Sequence, residues 1–168
     1  MSRGFVREGD QEEPVFIPPR APLLPGFENL VTPRGLQLLR DERTGLEERR
    51  ATVDLPDGPA RRRELAEING RLALLEQRIA SARPVEPGTQ APDEVRFGTT
   101  VTFRIEAGPQ QGAERTFTLV GVDEAKVAEG RIAYTAPVAQ ALLGSKVGDS
   151  VEFRLGSQVQ RLVVKAIR

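Results

Sequence analysis

Two aspartates, Asp54 and Asp57, share one short stretch of this sequence, and five arginines (Arg49, Arg50, Arg61, Arg62 and Arg63) stand on either side of them. Paired carboxylates in an exposed turn are oxygen donors of the kind that hold Mg²⁺ or another divalent cation. Guanidinium groups match phosphate oxygens along RNA or DNA. Each set also has a plainer reading. Asp57 suits a turn or capping position and Asp54 a solvated one, while arginines on helix faces pair with nearby glutamates. The two sets oppose each other as well, because the cations keep the carboxylates ionised but resist the arrival of a metal ion. No aromatic residues interleave with the arginines, so bases find no stacking platform there. A third candidate is Thr135-Ala136-Pro137, a loop leading into a helix start, which the sequence offers as an exposed docking surface.

Other chemistries drop out on composition. The chain has no cysteine and no histidine. That removes disulfides and thiol nucleophiles, together with the commonest general base, transition-metal ligand and near-neutral pH switch. No catalytic residue, metal site or cofactor of its own is therefore expected. The 24 basic and 24 acidic side chains leave no net field to recruit a polyanion. No apolar run approaches the roughly 20 residues of a membrane span, and the polar start lacks a signal-peptide core. The expectation is a cytoplasmic protein with no membrane partner. A length of 168 residues allows one ordinary domain or two small ones.

The acids and arginines need an element to carry them, and the spacing predicts a helical hairpin. Its first arm runs over Pro33–Thr52 and its second over Pro59–Arg83. Leu65, Ile68, Leu72, Leu75 and Ile79 repeat at alternating threes and fours, a coiled-coil seam. Leu36, Leu39, Leu46 and Val53 answer them, with Arg43 and Arg50 at two seam positions. Thr32-Pro33 is a helix-start signal, Leu55-Pro56 ends the first arm, and Gly58 or Asp57 caps the second before Pro59. The short connection returns the second arm antiparallel, giving a finger roughly 30 Å long with Asp54 and Asp57 at its tip. Gly70 inside the second helix costs about 1 kcal/mol against alanine, which points to close packing by something the sequence does not identify.

Residues 1–29 hold Pro14, Pro18, Pro19, Pro22 and Pro25, and the expectation is a disordered tail, with Phe5, Val6, Val15, Phe16 and Ile17 as sticky points. The finger occupies 30–83 and a Pro/Gly-rich linker 84–92. From Asp93 to the end the period becomes two. Strands are expected around Val101–Ile105, Arg115–Val122 and Ile132–Tyr134, then a short helix from Pro137 to Leu143, then the hairpin Ser150–Leu155/Val159–Ile167. The fold class is α+β, with a helical hairpin before a small α+β domain at 93–168.

These residues resemble the Gre transcription elongation factors from roughly Leu30 to Arg168. The likeness rests on Val31-Thr32-Pro33-Arg34-Gly35-Leu36 and Leu39, and on Gly70-Arg71-Leu72, Leu75-Glu76, Arg78-Ile79 and Ala82. It continues in Phe97-Gly98, Val101, Val120-Gly121, Asp123-Glu124-Ala125, Pro137, Ala139, Ala141-Leu142-Leu143-Gly144, Gly148-Asp149 and Val151. The resemblance implies a coiled-coil finger followed by an FKBP-like domain. It also implies that the finger occupies the secondary channel of bacterial RNA polymerase, touching nascent RNA there, while the C-terminal domain grips the rim through Thr135–Pro137. Family members stimulate cleavage of backtracked RNA by assisting the polymerase's Mg²⁺ with fingertip carboxylates. This sequence lacks the family's acidic tip pattern, both its arms are shorter, and its proline-rich tail has no counterpart. It is similar in this to the short-fingered relatives called Rnk, which lack that stimulation. A monomeric channel-binding factor that modulates elongation or competes with other such factors is the expectation. A cleavage stimulator using Asp54 and Asp57, an FKBP-like prolyl isomerase or chaperone, and a structural protein dimerising through its hairpin are the alternatives.

Overall fold

The structure, a computed structural model, describes residues 14–168. Helix α1 covers Pro33–Ala51; the Thr32 hydroxyl accepts the Gly35 N–H at 2.9 Å, and Pro33 opens the first turn. Helix α2 covers Pro59–Ala80, with Gly58 at the N-cap and Pro59 at the first position. The arms meet through buried Leu39, Leu46, Ile68, Leu72 and Leu75, flanked by half-buried Leu36, Val53 and Ile79. This is the seam that the spacing predicts except for Leu65, which is half-buried outside the cluster, and Arg50, which is exposed. Arg43, one of its two arginine positions, lies half-buried and reaches Glu76 at 3.7 Å.

Helix α2 stops three residues short of the expected end at Arg83. The Asn29 side-chain amide donates to the Arg78 carbonyl at 2.8 Å and to Ser81 Oγ at 3.0 Å. That amide takes the carbonyl which a continuing helix would offer to Ala82, whose N–H turns instead to Ile79 O at 3.1 Å. The freed chain forms a two-residue strand, β2 (Arg83–Pro84), parallel to β1 (Leu30–Val31). The linker expected over 84–92 therefore begins inside a strand, and both roots of the finger are stitched side by side.

The proline-rich segment 14–29 forms no helix and contributes no strand residue, as its prolines dictate, yet it is laid against the rest of the protein. Ile17 fills the notch at Gly70: a Cβ there would lie 2.2 Å from Ile17 Cδ1. This is the packing partner the sequence left unnamed. Further along, Arg20 bonds to Glu42 and Asp123, and Arg78 donates to the Ala21 carbonyl. Disorder over 1–29 thus does not describe residues 14–29. Prolines forbid sheet and helix, but a stiff extended segment has little entropy to lose on docking through side chains. Phe5 and Val6, named in the same expectation, lie outside the described residues.

The C-terminal unit is a five-stranded sheet in the order β5-β4-β3-β7-β6, with β3 at Thr100–Ala107, β4 at Glu114–Val120 and β5 at Arg131–Ala133. A single helical turn at Val127–Glu129 precedes β5; α3 (Pro137–Leu142) follows it and leads to β6 (Ser150–Leu155) and β7 (Gln158–Ile167). All pairings are antiparallel except β4–β5. Alternation along β3 buries Val101, Phe103 and Ile105 against Leu119, Leu142, Leu162 and Val164. The other face pairs Thr100 with Thr118 and Thr102 with Thr116, hydroxyl to hydroxyl at 2.7 and 2.8 Å. Mixed helix and sheet in this order matches the α+β expectation.

Leu75→Ala, at a fully buried seam position, is expected to cost about 2–5 kcal/mol in urea unfolding. Gly70→Ala should gain about 1 kcal/mol from helix propensity only when Ile17→Ala accompanies it. In the otherwise unchanged chain the displaced Ile17 cancels the gain.

Candidate functional site

The fingertip is a braced loop. Arg61 Nη1 donates to the carbonyls of Val53 at 3.0 Å and Leu55 at 3.1 Å, closing the turn from inside, and its Nε lies 3.6 Å from Asp57 Oδ1. Asp57 does not cap α2; Gly58 holds that position without any side-chain bond. Asp54 and Asp57 are both exposed, and Leu55 projects beside them. Among the described residues no three acidic side chains converge to hold a metal ion. The turn thus presents two exposed carboxylates, one of them beside a cation.

Much of the arginine collar is spent on the finger itself. Arg49 bridges the arms to Glu64, with Nε at 2.9 Å from Oε1, and Arg50 reaches Asn69 Oδ1 at 3.4 Å. Arg61 braces the tip, while Arg62 and Arg63 are exposed on the first turn of α2. An arginine already forked onto a carboxylate offers less to a phosphate than a free one.

Thr135, Ala136 and Pro137 are not the uniformly exposed loop expected from sequence. Thr135 is buried, Ala136 half-buried and only Pro137 exposed. The reason is the neighbouring Tyr134, which drops into the core and fixes the backbone on both sides. Its hydroxyl donates to the Glu28 carbonyl at 2.6 Å, and its ring meets Phe27 and Phe97 edge-on at 5.9 and 5.4 Å. Burial, then the Glu28 charge, raises the Tyr134 phenol above its ordinary pKa. Gln140 Nε2 donates back to the Tyr134 carbonyl at 2.7 Å, so the turn into α3 is preformed. Phe103 and Phe117 pair on the sheet at 6.1 Å. Of these aromatics Phe97 also lines a cleft of about 400 Å³, beside Pro33, Val85, Thr118 and Glu124.

The sequence reading missed the site where the two halves are joined. The turn after β4 carries Asp123 and Glu124, and both acids point at the base of the finger. Glu124, with a side chain 4% exposed, accepts a hydrogen bond from the Thr32 hydroxyl and lies 3.2 Å from Arg34 Nη1. Helix α1 has no acid in its own first turn, so Glu124 supplies the negative charge its N-terminus favours from another part of the chain. Two glycines make room: a Cβ on Gly35 would sit 2.8 Å from Glu124 Oε2, and one on Gly121 would sit 2.5 Å from the Leu30 carbonyl. Asp123 Oδ2 takes Arg78 Nη1 at 2.7 Å. Arg131 Nε holds the Glu124 carbonyl at 3.1 Å and its Nη2 holds Glu129 at 2.7 Å. Lys126 first, then Arg131, lowers the Glu129 carboxyl to about 2. The signal available in sequence was an acid pair after an apolar strand, whose partners stand 45 to 103 residues away in the chain.

Residues 90–168 match the profile of the family described as "Transcription elongation factor, GreA/GreB, C-term". The protein named transcription elongation factor GreA in Trichlorobacter lovleyi is 35% identical over 126 residues, 71% of this chain and 78% of that protein. The GreA of Acidiphilium cryptum is 42% identical over 84 residues, half of this chain and 52% of that relative. In several further curated relatives the chain likewise spans about half of their length. A solved structure titled "Prokaryotic transcription elongation factor GreA/GreB from Nitrosomonas europaea" is 25% identical, covering 84% of this chain and 98% of its own, at a TM-score of 0.39.

Glu124→Ala should destabilise the protein by about 1.5–3 kcal/mol in chemical unfolding, the worth of charged hydrogen bonds at a buried acceptor. Glu124→Gln, which keeps an acceptor oxygen but not the charge, should cost less. Equal stability of both variants with the parent would show that the junction contributes nothing.

Proposed function

Because the chain belongs to the GreA/GreB family of transcription elongation factors, we propose that it binds bacterial RNA polymerase with its finger in the secondary channel and its C-terminal unit on the rim. It acts in the cytoplasm as a monomer, occupying the channel and competing with longer-fingered factors. It carries no cofactor and no catalytic residue of its own. The observation that supports this reading is the physical one of a slender two-helix finger rooted, through a buried ionic junction, in the unit that matches the family. The C-terminal unit is proposed to be FKBP-like in architecture while serving as a docking platform. Pro137 and the exposed face of α3 make the contact there, with Thr135 and Ala136 shaping the turn beneath.

The tip favours occupancy over metal delivery. Arg61 lies against Asp57, and Arg62 and Arg63 follow it directly in α2, so an arriving Mg²⁺ meets positive charge. Metal ligation requires oxygens within about 2.0–2.1 Å, and each helical turn missing from a finger withdraws its tip by about 5.4 Å. In a stalled complex with backtracked RNA and Mg²⁺, this protein is expected to leave the RNA uncleaved and to slow cleavage driven by a long-fingered factor. Asp54→Ala and Asp57→Ala should leave binding unchanged and shift stability by no more than about 0.5 kcal/mol. Rapid cleavage that disappears in the double variant would establish the stimulator reading instead.

A further inference from the structure

We propose that residues 14–26 form a clasp that sets the angle between the finger and the C-terminal unit, with Arg20 as its fastening. The Arg20 guanidinium forks onto Glu42 of α1, Nη1 to Oε1 at 2.8 Å and Nη2 to Oε2 at 3.0 Å. The same group reaches Asp123 Oδ1 through Nη2 at 2.8 Å and Nε at 3.2 Å. The other Asp123 oxygen belongs to Arg78 of α2, and Arg78 in turn donates to the Ala21 carbonyl of the clasp. One network therefore ties together the segment 14–26, both arms of the finger and the turn after β4: Arg20 bridges Glu42 and Asp123, and Asp123 leads through Arg78 back to the Ala21 carbonyl. Its side chains are far from fully solvated, at 18% exposure for Arg20, 9% for Arg78, 12% for Asp123 and 34% for Glu42. Such a fork fixes geometry in a way an exposed ion pair does not.

The rest of the segment is arranged to deliver Arg20 and to let go. Ile17 anchors it on Gly70, two turns up α2 from Arg78. Between and beside these anchor points it is undercut. A cleft of about 480 Å³ lies between Pro18, Arg20, Glu42 and Asp123, and one of about 460 Å³ lies between Ile17, Pro22, Leu74 and Gln77. A segment attached at separate points over open clefts comes off by breaking those points, without opening either hydrophobic core. Releasing it leaves the Asp123–Arg78 pair, the Glu124 contacts to Thr32 and Arg34 and the Tyr134–Glu28 bond as the joints at the root of the finger, where they act as a hinge. The inference concerns the free protein and does not depend on the proposed binding to RNA polymerase.

The absence of cysteine makes the test direct. Ala60→Cys near the tip and Ser157→Cys in the β6–β7 turn accept a spin label each, and pulsed electron resonance reads the distance between them in the full chain. A single narrow distance is expected in the labelled parent. Arg20→Ala should add a second population at another distance, with circular dichroism unchanged, and Ile17→Ala should do the same through the other anchor. Arg20→Lys, which keeps charge and loses the fork, should fall between. A narrow, unshifted distance in both alanine variants, or a broad distance already present in the parent, overturns the clasp.

Discussion

A buried carboxylate at the start of a helix is the interaction on which this architecture turns. Glu124 would be costly to bury alone. It is tolerable because the first turn of α1 offers a positive dipole end, the Thr32 hydroxyl and the Arg34 guanidinium in one place. The arrangement is reciprocal, since α1 lacks any acid of its own there and would start weakly without one. Neither half of the protein completes its own polar chemistry, and each supplies what the other is missing. Gly35 and Gly121 are the steric conditions for that exchange.

Around this joint the molecule divides its labour by charge. At the base of the finger, arginines and carboxylates are matched and withdrawn from solvent, which gives direction and rigidity. Along the shaft, leucines and isoleucines hold the arms with a seam only one residue wide. At the tip, Arg61 closes the turn on two backbone carbonyls, so the loop keeps its shape without a side-chain cap on α2. What the tip presents outward is then a fixed set of groups, Asp54, Leu55 and Asp57, flanked by cations.

The parts legible in the sequence were those written in local periodicity. Alternating threes and fours located the finger, a period of two located the strands, and proline with threonine marked the helix starts within a residue or two. What escaped was chemistry between distant positions. Asn29 ends α2 from 49 residues away. Arg20 meets Asp123 across 103. No spacing rule reaches that far. The prolines of the tail speak only of backbone, and its sticky residues do not say where they dock; that depends on Ile17 meeting a missing side chain at Gly70 and on Arg20 meeting Glu42 and Asp123. Thr135 was read as exposed because a Pro-led helix start is usually a surface turn, and the burial of the preceding Tyr134 reversed that.

The positions that root the finger lie in the first turn of α1, at Thr32, Arg34 and Gly35, and in the last turn of α2, at Arg78 and Ser81. Everything between is shaft, held among the described residues by Arg20 at Glu42 and by Ile17 at Gly70. In evolutionary terms the finger is therefore a part of adjustable length. Adding or removing matched heptads from the distal portions of both arms preserves the seam, the facing of the tip and every root contact. Lineages can then lengthen or trim the probe by steps of about 10 Å, at 1.5 Å per residue, while the socket that holds it stays unaltered.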